Sequence, residues 1–188
     1  MPTGLVRYQQ ARTLHYVTFT CYHRAPYLGT ASARDLFEAT LERVRRWYGF
    51  RIHAYVVMPE HVHLLVSEPE RSTLAVVIQM LKQIVSRKIH QDGARLPLSQ
   101  ERGIGSPFWQ RRYYDFNLWS KKKLEEKVHY IHQNPVRRGL VARPEDWKWS
   151  SFRHIATGED GVVEIESQWT ARKRERLGIV PQVKVRRD

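Results

Sequence analysis

Apolar and polar positions change their period several times along the chain, and each change marks a new element. His15 to Tyr22 alternates and is rich in β-branched and aromatic residues, which predicts a first strand. After Ser32 the period becomes helical. Leu36, Phe37, Leu41, Val44, Trp47 and Tyr48 form one face, Asp35 completes an imperfect capping box, and Gly49 is the stop. Arg43, Arg45 and Arg46 then fall on the solvated side. Arg51 to Met58 and His61 to Ser67 read as two further strands, and with Pro59 and Glu60 or slightly more between them they must be antiparallel neighbours. Ser72 is the expected cap of a second helix carried by Leu74, Val77, Ile78, Leu81, Ile84, Val85 and Ile89 and ended by Gly93. Residues 92–107, punctuated by Gly and Pro, read as a loop, and Phe108 to Phe116 as a fourth strand.

Strand, helix, hairpin, helix, strand is the order of the ferredoxin-like split βαβ unit, an α+β fold with both helices on one face of an antiparallel sheet. The other face is left for a ligand or an added element. Ser120 starts a third helix that should stop near Asn134, because Pro135 disfavours α conformation in the residue before it. Leu124, Val128 and Ile131 form its apolar stripe, with Lys123, Lys127, Tyr130 and Asn134 along one flank. Trp147, Trp149 and Phe152 should cover the core edge. From Thr170 onward, basic residues with little periodicity beyond Leu177 and Ile179 predict a mobile tail.

Charge narrows the function. A chain of 188 residues is long enough for one domain with a real core, and its formal net charge of +13 and pI near 10.2 call for a polyanionic partner. Nucleic acid fits better than an anionic membrane, since the basic residues are not gathered on one amphipathic helix. Cys21, the single cysteine, excludes an intramolecular disulfide. With neither a signal-peptide pattern nor a run of about 18 apolar residues, a soluble cytoplasmic, nucleoid-associated protein is expected.

Chemistry concentrates in two short stretches. In His61-Val62-His63 on a strand, both imidazoles leave one side of the sheet while Val62, Leu64 and Val66 pack on the other, which fixes two metal-coordination positions and leaves others open. Tyr130 and Asn134, four apart on a helix, emerge from one face one turn apart. A phenol is a weak nucleophile at neutral pH and needs a neighbouring cation. A metal on His61, His63 and the Asn134 carbonyl oxygen would supply one, with Lys123 and Lys127 adding positive potential. The same spacings also suit an ordinary amphipathic helix with Asn134 at its end. Tyr113 and Tyr114 are rival nucleophiles, but on a strand they point to opposite faces.

The stretches Met58-Pro-Glu-His-Val-His63, Phe108-Trp-Gln-Arg-Arg-Tyr-Tyr-Asp115 and Val128-His-Tyr-Ile-His-Gln-Asn-Pro-Val136 together resemble the single-tyrosine HUH transposases, most closely the bacterial REP-associated tyrosine transposases. The resemblance spans roughly residues 5–155. It implies a transposase domain over 1–155 with a basic, partly mobile extension over 156–188. It also implies His61 and His63 as metal ligands, Tyr130 as nucleophile, and Asn134 as third ligand where many relatives carry glutamine. The implied cofactor is a divalent ion, Mg²⁺ or Mn²⁺, and the implied partner is single-stranded DNA carrying REP-like palindromic hairpins, bound by a monomer or homodimer. In that picture Arg7 and Tyr8 read the hairpin foot and Lys82, Arg87 and Lys88 hold phosphates. Arg111, Arg112, Lys123 and Lys127 are further candidate DNA contacts. Two alternatives stand beside it: a non-catalytic single-stranded nucleic-acid module stacking bases on Trp109, Tyr113 and Tyr114, and an initiator-type HUH nickase.

Overall fold

The computed structural model describes residues 13–91 and 107–179. The expected arm residues Arg7 and Tyr8, the helix stop Gly93 and most of the loop over 92–107 lie outside these. Four strands, β1 (Leu14–Thr20), β2 (Ile52–Val57), β3 (His61–Val66) and β4 (Tyr114–Leu118), form one antiparallel sheet in the order β2-β3-β1-β4. This is the split βαβ arrangement.

Helices α1 (Ala31–Tyr48) and α2 (Leu74–Gln91) cover one face, burying Phe37, Leu41, Val44, Val77, Leu81 and Val85 against Val17, Phe19, Val62, Leu64 and Val66. Helix α3 (Lys121–Arg137) lies on the other face, where Ile131 is fully buried among Tyr16, Ala54, Val56, Leu65 and Trp147. Burying that one side chain stabilises the docked helix by about 1.5–3 kcal/mol. The expected covering role of Trp147 is thus met, and its indole also donates to the Val57 carbonyl at 3.1 Å.

Several boundaries differ from the sequence reading. The cap of α1 is Thr30, whose hydroxyl accepts from Ala33 N at 3.2 Å, so Ser32 falls inside the first turn. Trp47 is 51% exposed with Arg43 over its ring, because at 100° per residue it sits on the flank of the Phe37–Leu41–Val44 stripe. Gly49 does end α1, at the left-handed φ of 67° that glycine tolerates. Ser72 also adopts a left-handed φ of 74°, and Thr73 closes the first turn of α2 instead, its carbonyl accepting from Val77 N at 3.1 Å.

The fourth strand begins at Tyr114 rather than Phe108. Phe108 and Trp109 are adjacent and both buried in the α1/α2 core, which the alternation of a regular strand forbids. The third helix continues through Pro135 to Arg137. Proline there removes only its own bond to the preceding turn, and Arg138 N still donates to the Asn134 carbonyl at 3.0 Å.

Thr170 onward is not wholly a tail. Helix α5 (Gln168–Arg176) follows the short α4 (Phe152–Thr157), buries Thr170, and is tied down by Arg174 to Glu166 and Glu164, each at 2.8 Å. Residues between α3 and α5 run along the outer edge of β2: Val57 N donates to Trp149 O at 2.9 Å and Glu166 N to Ile52 O at 2.7 Å. Part of the 156–188 extension therefore closes a sheet edge that would otherwise be open to pairing.

Buried His132, which shares a hydrogen bond with Ser151 at 2.9 Å, is pushed down to about 4 by burial, with His129 adding to the effect. Its proton is taken up more readily by the unfolded chain. The stability it contributes is therefore complete above pH 6.5 and is lost as pH falls from there to about 4, a loss on the order of 3 kcal/mol. Urea unfolding at pH 7 and pH 4 should show this loss in the wild type, and His132→Gln should reduce it by most of that amount. An equal acid loss in the variant would contradict the assignment.

Candidate active site

The strand register assembles the site. Val56, His63, Thr18 and Tyr114 stand side by side across the four strands, with Thr20 opposite His61, all on the α3 face. Helix α3 then lowers Tyr130 and Asn134 onto that row. His61, His63, Tyr130 and Asn134 consequently line one cavity of about 370 Å³, shared with Tyr16 and Thr18.

Hydrogen bonds orient both imidazoles. Glu60 Oε1 lies 3.1 Å from His61 Nδ1, and since a carboxylate accepts, Nδ1–H donates and the Nε2 lone pair is free. His63 Nδ1 is met by Thr18 Oγ1 at 2.7 Å and the Tyr16 hydroxyl at 2.8 Å. Donation from Nδ1–H to either oxygen leaves the Nε2 of His63 free as well. The two Nε2 atoms lie 3.1 Å apart. Burial holds both rings below the usual histidine range, His63 far below, so both are neutral and able to ligate at neutral pH.

Asn134 closes the triangle. Its Nδ2 is 3.1 Å from His63 Nε2, while Oδ1 is buried and has no hydrogen-bond partner among the described residues. A half-turn of the amide brings that oxygen to the imidazoles, where a cation satisfies it. Separations near 3 Å suit donors on adjacent corners of an octahedron with bonds of about 2.1 Å. Among the described residues no group of three or more His, Cys, Asp or Glu could hold a metal, so the third protein donor must be of another kind. The residues present fit a divalent ion with open positions.

Tyr130 is half-buried, its ring 5.4 Å from that of His63 and 6.3 Å from that of Tyr16. Lys127 Nζ stands 4.4 Å from the Tyr16 ring centroid and 5.8 Å from that of Tyr130, and the Arg137 guanidinium is 5.4 Å from the Tyr130 ring. These cations would favour negative charge on the Tyr130 oxygen. Of the rival tyrosines, Tyr114 lines the cavity, but Tyr113 packs against the α1/α2 core on the opposite face.

The other sequence-named residues scatter. Lys82 is half-buried and donates to the Gln110 carbonyl at 2.7 Å, fastening α2 to the segment before β4. Arg87 and Lys88 are also on α2, across the sheet from the cavity. Arg111 and Arg112 are exposed just before β4, and Lys123 is exposed and paired with Glu126 at 2.8 Å. Trp109 is buried with its indole bonded to the Lys82 carbonyl, and Tyr113 packs on the core, so two of the three rings suggested for base stacking serve the core.

Sequence reasoning missed Tyr16, Thr18, Glu60, Arg24 and Arg138, all of which line the cavity or bond to its histidines. Arg138, four residues after Asn134, carried a detectable signal had the helix been allowed past Pro135.

Comparison with known proteins shows the family and the fold. Residues 9–134 match the family described as Transposase IS200 like. A Haemophilus influenzae relative assigned to the REP-associated tyrosine transposases is 29% identical over 124 residues, covering 65% of this chain and 70% of that protein. The Escherichia coli REP-associated tyrosine transposase is 28% identical over 144 residues, covering 76% and 79%. A solved REP-associated tyrosine transposase bound to a REP hairpin shares the fold, with a TM-score of 0.66 at 21% identity over 100% of this chain and 99% of that one. Among the described residues no helix is long and apolar enough to cross a membrane. With the family match covering most of its length and a tyrosine, two histidines and an asparagine gathered on one face of a split βαβ sheet, the chain belongs to the IS200-like transposases.

Proposed function

We propose that the protein is a metal-dependent strand transferase acting on single-stranded DNA that folds into REP-like palindromic hairpins. The observation that carries this reading is the shared cavity in which Tyr130 sits beside two imidazoles whose Nε2 atoms face each other at 3.1 Å, with Asn134 next to them. The substrate follows from the REP hairpin held by the structural relative and from the excess of positive charge.

The Tyr130 oxygen attacks the phosphorus of a phosphodiester in the single strand. A new P–O bond forms to the phenol, the bond to the 3′ oxygen breaks, the phenolic proton passes to water, and the departing oxygen takes up a proton as a 3′ hydroxyl. DNA is left joined through its 5′ phosphate to Tyr130. Attack by a DNA 3′ hydroxyl on that linkage restores the phenol and rejoins strands without ATP. A divalent ion on His61, His63 and Asn134 would polarise the phosphodiester and offset its charge. Glu60, Thr18 and Tyr16 keep the imidazoles oriented, and Lys127 and Arg137 supply field beside the phenol.

Labelled oligonucleotides with Mn²⁺ test the reading. A palindromic hairpin with a single-stranded foot should give a protein–DNA product that survives denaturation, and a fully paired duplex should give none, because the nucleophile must reach an unstacked backbone. Affinity should fall steeply with salt, by roughly 0.7 power of salt per phosphate contact for single strands. Equal binding of random duplex and hairpin at physiological salt, with no stable product, would overturn it.

A further inference from the structure

Glu60 does more than orient His61. It sits buried in the turn between β2 and β3, and the oxygen facing His61 Nδ1 also accepts from Arg24 Nη2 at 3.2 Å and forms an ion pair with Arg138 Nη2 at 2.8 Å. The two arginines come from distant parts of the chain, one in the turn after β1 and one at the end of α3, and both line the Tyr130 cavity. Arg24 gives Glu60 one hydrogen bond and Arg138 an ion pair. Their side chains are 58% and 50% exposed, and among the described residues neither guanidinium has another partner, so most of each planar fork remains open. One carboxylate between two guanidiniums leaves a net positive charge on the cavity wall. The turn that delivers Arg24 is strained: His23 and Arg24 take left-handed φ values of 51° and 56°, unusual for residues with a side chain.

A purely structural ion pair explains little of this. A single guanidinium would neutralise the buried Glu60 carboxylate, and a fold-stabilising bridge does not need a strained turn or a second fork at the same cavity. A backbone phosphate does use such an arrangement, since its non-bridging oxygens accept paired N–H bonds in the plane of a guanidinium. We propose that Arg24 and Arg138 form a phosphate clamp, spread and aimed by Glu60, that grips the non-bridging oxygens of the phosphodiester that Tyr130 attacks. The assignment rests on the strand-transfer reading. In it, Glu60 is a positioning residue that links imidazole orientation to phosphate placement, and Arg138 shares the helical face of Tyr130 and Asn134, so one helix presents nucleophile, ligand and clamp.

The test replaces single phosphates along the hairpin foot, one at a time, with uncharged methylphosphonates and measures binding by fluorescence anisotropy in chelator, where no metal contributes. Wild-type protein is compared with the double variant R24K/R138K, which keeps both charges but loses both forks. For wild type, one methylphosphonate, at the position that adduct formation with Mn²⁺ identifies as the cleaved linkage, should weaken binding about tenfold, the loss of one charge-assisted contact. The double variant should bind unmodified hairpin correspondingly less tightly and be insensitive to that substitution, with an unchanged circular dichroism spectrum. R24Q and R138Q singly should each show part of the effect, which covers misfolding of the double variant. If wild type and variants lose the same factor at every position, the clamp is wrong while a wild-type adduct leaves strand transfer standing. Coupling at one phosphate with no adduct on any hairpin would instead keep the clamp as a phosphate site and remove strand transfer.

Discussion

His63→Ala should abolish DNA cleavage while leaving hairpin affinity within a few fold of wild type. His63 Nε2 lies 3.1 Å from both His61 Nε2 and the Asn134 amide, so its removal takes away the common neighbour of the other two donors. Losing one of the three proposed protein ligands together with the orientation that Thr18 and Tyr16 impose should cost about 10²-fold or more in metal affinity. His61→Ala should act alike, and its partner Glu60 would be left buried with only the arginines. Asn134→Ala should be milder, because a neutral amide oxygen is the weakest of the three donors. Chelator should reproduce the histidine variants on wild-type protein. Cleavage assays beside anisotropy, with and without chelator, check all four, and full cleavage by His63→Ala in chelator would remove the metal from the account.

Tyr130→Phe should eliminate the covalent product and change little else. The ring packs edge-on to His63 and Tyr16 and lies beside Lys127 and Arg137, and phenylalanine keeps every one of those contacts. Only the oxygen is lost, and without it no bond to phosphorus forms. Folding stability should shift by less than about 1 kcal/mol, since one hydroxyl of a half-buried residue is removed. Tyr113→Phe should retain the product because Tyr113 is on the other side of the sheet. Tyr114→Phe is the sharper control. Tyr114 lines the same cavity, so retained product there distinguishes the nucleophile from a neighbour.

Much of this architecture was legible in the chain because its signals are local. Strand alternation put His61 and His63 on one face, the short connection through Pro59 and Glu60 forced a hairpin, and four-residue spacing aligned Tyr130 with Asn134. The illegible parts depend on pairing register and tertiary burial. Nothing near Tyr16 or Thr18 indicates that β1 would lie against β3 with Thr18 opposite His63. Glu60 read as a turn residue, and its role emerges only when Arg24 and Arg138 converge on it. Pro135 misled because its local rule is real, yet the packing of Ile131 and the bond from Arg138 N to the Asn134 carbonyl carry the helix through it. Lys82, which the family resemblance linked to phosphate, gives one of its three N–H donors to the Gln110 carbonyl, a contact that no local pattern announces. Charge counts call for a polyanionic partner without saying which cations would meet it.

The central claim is that Tyr130 becomes bonded to DNA through a 5′ phosphate. Mass spectrometry of the denatured product, formed with Mn²⁺ on a palindromic hairpin and digested with protease and nuclease, reads this directly. The account predicts a nucleotide-modified peptide containing Tyr130, with fragment ions placing the added phosphate on that residue and a free 3′ hydroxyl on the released strand. Modification at Tyr114 or Tyr16, or a linkage through the 3′ side of the DNA, would contradict it.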